Sequence, residues 1–238
     1  MYEAVHAHPD GDSTAARLAT TAERYGYEGV IARTGALDGE VRETSPVDVV
    51  DAAEIVAPDP QHASGAVGNA RSNHAVVLVC GGTDALNRFA VEQPRVDVLA
   101  RPFEGATDDG EGPSGGGDLN HVLAKAARDN DVRIEVNLAP VLRDRGGHRV
   151  RHLDKLRRLK RLLEDYDAPY VVSANPRSHL HLRAHREIAA LGAEIGLGAE
   201  WTRAGLDAWG RLVAENRKRL SESFIAPGVE RGRYEEDD

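Results

Sequence analysis

Apolar and polar residues follow one another along the chain in blocks that predict repeated strand–helix units. Short runs rich in valine, isoleucine and leucine, such as VVLVC within 74–82 and IEVNL within 132–138, predict buried strands. Longer segments with apolar residues at helical spacing separate these runs. The predicted strands are 2–7, 29–35, 53–58, 74–82, 96–100, 132–138, 169–175 and 194–199. The predicted helices are 13–25, 61–72, 84–91, 118–128, 149–166, 178–191 and 202–220.

Continuous apolar strands that are each followed by a helix are typical of a parallel sheet covered by helices. Eight such units predict a single α/β domain with a TIM-barrel-like (β/α)8 fold over residues 1–222. An open doubly wound sheet is the alternative. In a barrel, the residues just after each strand form the functional face, so the strand ends are where we expect the chemistry.

Two segments fall outside this pattern. Residues 104–117 are rich in glycine and acidic side chains, and we expect a flexible loop there. Residues 223–238 end in four consecutive acidic residues, and we expect a disordered acidic tail.

The composition indicates a protein from a salt-loving organism. Acidic residues number 39 against 30 lysines and arginines, only 4 of the basic residues are lysine, and the net charge is −9. In such a protein the acidic excess keeps the surface solvated, so it does not exclude a nucleic acid as partner. The single cysteine, Cys80, excludes a disulfide framework and a zinc site built from cysteines. With no secretory signal pattern and no apolar run of about 18 residues, we expect a cytoplasmic protein that does not enter a membrane.

The histidine pair at the end of the first strand is a candidate for metal binding. His6 and His8 point the same way on a strand, and barrel metallo-hydrolases place two metal ligands there. Glu54 and Glu135 lie within strands and could point inward, but the later strand ends offer no further histidine or aspartate. We therefore expect no catalytic residue and no bound metal, with His6 and His8 as the candidate ligands if one is present.

Positive charge is concentrated in one stretch of this acidic chain. Residues 143–161 carry nine basic residues and two aspartates. The basic residues are Arg143, Arg145, Arg149, Arg151, Lys155, Arg157, Arg158, Lys160 and Arg161. Such a run predicts a surface that contacts phosphates or an acidic partner, with a merely solvated amphipathic helix as the alternative.

Arginines also follow four of the predicted strands. They are Arg33, Arg101, Arg143 and Arg177. In a barrel these side chains would ring one face, and the planar donor fork of arginine suits contacts with phosphate. This face is predicted to grip an anion.

Four segments carry a resemblance to a known family. They are GYEGVIARTG (26–35), VDVLARPFEG (96–105), DLNHVLAKAARDNDVRIEVNL (118–138) and YVVSANPRSHLHLRAHREIAALG (170–192). Together they resemble the archaeal ribonuclease P protein component 3 family, whose eukaryotic relatives are subunits of nuclear ribonuclease P. The resemblance implies a barrel related to polymerase-and-histidinol-phosphatase metallo-hydrolases. Those enzymes have an Asp-x-His late in the barrel, whereas residues 173–176 read Ser-Ala-Asn-Pro, which implies that the metal site is lost.

The resemblance implies a role in removing the 5′ leader of precursor tRNA. The RNA subunit would carry out the Mg²⁺-dependent cleavage, and this chain would bind no cofactor and be non-catalytic itself. Its implied partners are the ribonuclease P RNA, precursor tRNA, protein component 2 and the other protein subunits. Positions that match the family make Arg101, His121, Lys125 and Arg177 candidates for RNA or partner contact. The alternative is an independent metal-dependent phosphoesterase on the same barrel.

Overall fold

The computed structural model describes residues 1–33, 37, 39–103 and 117–220, together with the backbone of two short strands at 224–226 and 229–230. The expected flexible loop lies outside the described residues except for Gly117, and so does most of the expected tail. The two short strands pair antiparallel with each other, where the sequence predicted disorder.

Seven parallel strands form the sheet, and each pairs with the next one along the chain. They are β1 (Tyr2–Val5), β2 (Gly29–Ala32), β3 (Asp48–Ile55), β4 (Val76–Cys80), β5 (Val98–Ala100), β6 (Arg133–Asn137) and β7 (Tyr170–Ser173). The sheet curls into a nearly closed barrel, with β1 and β7 unpaired within the described ranges. The single barrel-like α/β domain that the sequence predicts is therefore confirmed, with seven strands in place of eight.

Helices cover the outside of the barrel. They are α1 (Ala15–Arg24), α2 (Gly39–Thr44), α3 (Pro60–Asn73), α4 (Asp84–Glu92), α5 (His121–Asp129), α6 (Ala139–Arg143), α7 (Gly146–Asp165), α8 (His185–Glu194) and α9 (Ala199–Leu220). A 3₁₀ turn spans His179–His181. Side chains of Thr14, Asp59, Thr83 and Asn120 accept N–H groups in the first turns of α1, α3, α4 and α5, which explains where these helices begin. No helix in the described ranges is long and apolar enough to cross a membrane.

The predicted eighth strand at 194–199 is wrong. Helix α8 ends at Glu194, and α9 begins at Ala199. Gly196 and Gly198 between them have φ of 85° and 87°, a left-handed conformation that glycine adopts without strain. The link is apolar because Ile195 and Leu197 are buried against the core, and not because it is a strand.

Helix α9 packs against β1, β4 and β7, and some of its side chains reach the barrel interior. Its Trp209 and Leu212 join the inward-facing strand residues in one buried cluster, and Trp209 Nε1 donates to the Val172 carbonyl at 2.9 Å. A Cβ at Gly205 would lie 2.4 Å from Cγ2 of Val172, so only glycine allows α9 to approach β7 this closely. Asn216 Nδ2 donates to the Ala75 carbonyl just before β4, which places the end of α9 at the amino-terminal ends of the strands.

Side chains bridge the seam between β1 and β7. Oε1 of Glu3 accepts from Ser173 Oγ at 2.5 Å and from the Ala174 amide at 3.1 Å. The His6 amide donates to the Pro176 carbonyl at 2.9 Å. The strands are thus held side by side at this seam by a buried carboxyl group where the β-ladder is missing.

Candidate nucleic-acid interface

A buried polar cluster, the mouth cluster, occupies the carboxyl ends of the strands. It consists of His6, Arg33, Glu54, Cys80, Arg101 and Glu135. Arg33 lies at its centre, 2% exposed, with Nη1 3.3 Å from Glu54 Oε1 and Nη2 bonded to Glu135 Oε1. Glu54 and Glu135, which the sequence allowed to point inward, both reach Arg33.

Arg101 closes the cluster from the side of β5. Its amide donates to Glu135 Oε2 at 3.0 Å, its Nη2 donates to Cys80 Sγ at 2.8 Å, and its Nε lies 3.4 Å from Glu54 Oε1. Burial raises the pKa of Cys80 well above its ordinary value, so the thiol keeps its proton, and Sγ donates to Glu54 Oε1 at 3.2 Å. Burial alone would raise the pKa of Glu54, but the guanidinium groups of Arg33 and Arg101 outweigh it and hold that pKa at about 2.

The histidine pair does not form a metal site. Nε2 of His6 is 2.8 Å from Asn175 Oδ1, and burial lowers the pKa of His6 to about 4, so the ring is neutral. His8 is exposed and lies outside the mouth cluster. Because Glu54 and Glu135 are already bonded to guanidinium groups, the residues present do not fit a divalent ion. Among the described residues, no group of three or more histidine, cysteine, aspartate or glutamate side chains is arranged to hold a metal.

The structure rules out Arg33 as a residue that contacts RNA. Its side chain is enclosed in the barrel and committed to two carboxylates, so no phosphate reaches it. Arg101 does lie at the mouth beside it, as predicted, but its side chain is 20% exposed and held by Glu54 and Cys80. At these two positions of the expected anion-binding face, the arginine charges are therefore neutralised by the buried carboxylates of the mouth cluster.

Glu3 makes stability depend on pH. Burial raises the pKa of Glu3 from its ordinary 4.5 to about 7, and its Oε2 is buried without a hydrogen-bond partner among the described residues. Between these pH values the folded state keeps a proton that the unfolded chain loses, so rising pH favours unfolding there.

Replacing Glu3 by glutamine should remove that loss of stability. We expect the Glu3→Gln variant to gain about 1–3 kcal/mol of unfolding free energy relative to the unchanged protein as pH rises from about 4.5 to 8, and little further above 8. Denaturant titrations of both proteins across this range measure the difference. A difference that stays constant with pH would contradict the assignment.

The basic run divides into arginines engaged by the fold and arginines left free. Arg143 does not follow a strand, because it ends α6, where its guanidinium donates to the Ala174 and Asn175 carbonyls at 2.9–3.1 Å. Nε of Arg157 donates to the Ile195 carbonyl at 3.0 Å and so caps α8. Lys160 pairs with Glu164 at 2.7 Å, and Lys155 lies over the Phe103 ring.

Arg151, Arg158 and Arg161 form an exposed stripe on α7, here called the arginine stripe. The spacing places all three on the side of the helix opposite its buried face. That buried face consists of His152, Leu156, Leu159 and Leu163. Within the part of the chain that the structure describes, none of the three guanidinium groups has an ion-pair or hydrogen-bond partner.

The start of α7 is also positive. The helix begins without a side-chain cap and has no acidic residue in its first turn. Arg145 and Arg149 lie there, although cations at a helix amino terminus oppose the helix dipole. The first N–H groups of a helix bind anions well, so this end of α7 suits a phosphate.

The comparisons with known proteins identify the family. The family model described as RNase P subunit p30 matches residues 1–221. The chain belongs to this family. Ribonuclease P protein component 3 of Halorubrum lacusprofundi is 58% identical over 250 residues, covering 100% of both chains.

Two solved structures share the barrel. A chain in a cryo-EM structure of archaeal ribonuclease P with mature tRNA superposes with a TM-score of 0.80 at 18% identity, covering 100% of both chains. A histidinol phosphate phosphatase of Lactococcus lactis, solved with zinc, L-histidinol and phosphate, gives 0.50 at 9% identity, covering 86% of this chain and 93% of that one. The fold is therefore shared between a ribonuclease P subunit and a zinc-containing hydrolase.

Of the residues carried over from the RNase P family, two lie together on α5. His121 and Lys125 are exposed on α5 and both lie against the Tyr166 ring, with the Lys125 ammonium 5.4 Å from the ring centre. Arg177 is exposed after β7 and donates to the Asp10 carbonyl. Since Tyr166 caps the end of α7, the α5 pair and α7 belong to one side of the barrel.

Sequence reasoning missed Glu3, Trp209 and the part that Cys80 plays in the mouth cluster. The acidic Glu3 within an otherwise apolar strand was a signal that could have been used. The contacts of Trp209 could not be predicted from the sequence, since they depend on how α9 packs against strands far from it in the chain.

Proposed function

We propose that this protein is a non-catalytic, RNA-contacting subunit of ribonuclease P, which supports the catalytic RNA in removing the 5′ leader of precursor tRNA. The family match along the described barrel carries this proposal. The chain would act in the cytoplasm and bind no cofactor, and the Mg²⁺ that cleavage requires would belong to the RNA subunit.

The arginine stripe supports contact with RNA phosphates. Three unpaired guanidinium groups on a surface helix are unusual in a chain of net charge −9, which carries acidic residues enough to neutralise them. Arginine offers directional, charge-assisted hydrogen bonds to phosphate oxygens. These persist better at high salt than the long-range attraction, which is screened beyond about 3 Å at 1 M.

The alternative of a stand-alone metal-dependent phosphoesterase finds no support in the mouth cluster. Its carboxylates are bonded to Arg33 and Arg101, and its thiol is bonded to Arg101. A hydrolase would need donors free to take the ion and an open coordination position for water.

Reconstitution tests the proposal. The RNA subunit and the protein subunits should cleave precursor tRNA more slowly when this chain is omitted, and the chain alone should not cleave it with Mg²⁺, Mn²⁺ or Zn²⁺. Cleavage by the chain alone that strengthens with one of these ions would overturn the proposal in favour of the phosphoesterase.

Protein component 2 is the partner we propose for this chain. An acidic barrel binds RNA poorly alone, and a second subunit would add joint contacts. The two purified chains should co-elute from size exclusion at high salt and micromolar concentration. Separate elution of the two would contradict this pairing.

The histidine pair should be dispensable for cleavage. His6 is neutral and bonded to Asn175, and His8 is exposed, so neither is placed to bind a metal or move a proton. Replacing His6 by asparagine and His8 by alanine should leave reconstituted activity within about threefold, provided that a thermal melt shows a folded protein. A loss of more than about tenfold, roughly 1.4 kcal/mol, would instead support a catalytic role.

A further inference from the structure

Four side chains of the mouth cluster, His6, Glu54, Cys80 and Glu135, are of types that can bind metals, and each is already bonded. His6 bonds to Asn175 through Nε2, and the remaining three bond to arginine. Glu54 and Glu135 are paired with Arg33, and Cys80 accepts from Arg101. Guanidinium groups therefore occupy the bonding positions of Glu54, Glu135 and Cys80.

The charges of the mouth cluster cancel. Glu54 and Glu135 contribute two negative charges, Arg33 and Arg101 contribute two positive charges, and His6 and Cys80 are neutral. Arg33 and Glu135 have side chains that are 0% exposed, and the Glu54 side chain is 7% exposed. A divalent ion added to this neutral buried cluster would leave two uncompensated charges in a region of low dielectric, which is strongly unfavourable.

We propose that Arg33 is an internal cation that takes the place of a metal ion in this barrel. Its fork joins Glu54 on β3 to Glu135 on β6 through separate nitrogens. Its Cζ lies 5.8 Å from the centre of the Trp209 ring, so the same group also contacts α9. The inference goes beyond the proposed function, because it concerns what holds the barrel together without RNA.

A charge-balance cycle on the full chain tests this. Arg33→Met leaves the cluster with one excess negative charge, and we expect the melting temperature to fall by about 10 °C or more. Glu135→Gln alone leaves one excess positive charge and should also lower it. The double variant Arg33→Met with Glu135→Gln restores neutrality, and it should melt above the Arg33→Met variant.

The exposed ion pair of Arg217 and Asp48 provides the matched control. Both guanidinium nitrogens of Arg217 donate to the Asp48 carboxylate at 2.8 Å, but Arg217 is half exposed. Changing Arg217 to methionine and Asp48 to asparagine, singly and together, should shift the melting temperature by only about 2 °C. If Arg33→Met melts within that range, Arg33 is not the internal cation.

Metal titration provides the second arm. After treatment with a chelator, the unchanged protein should melt at the same temperature with and without Mn²⁺ or Zn²⁺. A saturable rise that Glu135→Gln abolishes would show that the donors hold a metal and would overturn the proposal. If Arg33→Met does not fold, a folded double variant still supports it, whereas a double variant that is equally unfolded counts against it. Melting and titration use no RNA, so this inference and the proposed function fail separately.

Discussion

Replacing Arg151, Arg158 and Arg161 together by glutamate should lower the precursor-tRNA cleavage of reconstituted ribonuclease P by more than tenfold. The three changes convert three exposed guanidinium groups without partners into carboxylates on a helix that we propose faces RNA phosphates. Each lost phosphate contact should weaken binding and flatten its salt dependence, by about 0.7–0.9 in the slope of log K against log salt. Titrations of RNA binding at several salt concentrations measure this slope.

The protein should stay folded, because the buried face of α7 is not changed. Arg157 is left in place because it caps α8, so its replacement would confuse lost contacts with lost structure. Replacement of the arginine stripe by lysine should also reduce activity, though less, since the charge remains but the planar fork is lost.

A matched variant separates local contact from net charge. Arg24, Arg95 and Arg186 are exposed elsewhere on the barrel, and changing them to glutamate alters the charge by the same −6, from −9 to −15. That variant should retain most of the activity. If instead the stripe variant loses protein component 2 in a pull-down while keeping its RNA affinity, the stripe docks a protein. If cleavage, RNA binding and partner binding all survive, the stripe is a solvated helix face.

The sequence predicted most strands because their burial on both sides leaves a continuous apolar run. β4 and β6 lie within the predicted 74–82 and 132–138. β3 begins at Asp48, five residues before its predicted start. The sequence missed these residues because Asp48 and Asp51 interrupt the apolar run. In the fold the two carboxylates pair with Arg217 and Arg42. Helix α2 was not predicted, because it has no buried residue and its sequence therefore shows no helical spacing of apolar residues.

The candidate site was predictable in its members and not in their partners. The sequence allowed Glu54 and Glu135 to point inward, and it placed Arg33 and Arg101 at the strand ends. That the acids and the bases neutralise one another depends on a contact between Arg33 and Glu135, 102 residues apart, which no local pattern encodes. For the same reason the sequence could not separate Arg157, which is tied to α8, from Arg158, which is free.

Replacing Trp209 by alanine should lower the free energy of unfolding by about 3–5 kcal/mol, or roughly 10 °C in melting temperature. Trp209 on α9 is fully buried among the inward-facing strand residues, and its Nε1 donates to the Val172 carbonyl. Removal of the ring leaves a cavity beneath Arg33 and an unsatisfied carbonyl on β7.

Two further variants divide this effect into its parts. Trp209→Phe keeps most of the apolar contact and loses the N–H donor, so it should cost about 1–2 kcal/mol. The Trp201 ring stacks on the Tyr170 ring near the start of α9, with 4.0 Å between ring centres, but it is only partly buried. Trp201→Ala should therefore lower the free energy of unfolding less than Trp209→Ala does. Denaturant titrations of the three variants give the order. If Trp209→Ala lowers the free energy of unfolding by no more than Trp201→Ala does, the Trp209 side chain is not an important part of the barrel core. Removing a fully buried ring should lower this free energy more than removing a partly buried one.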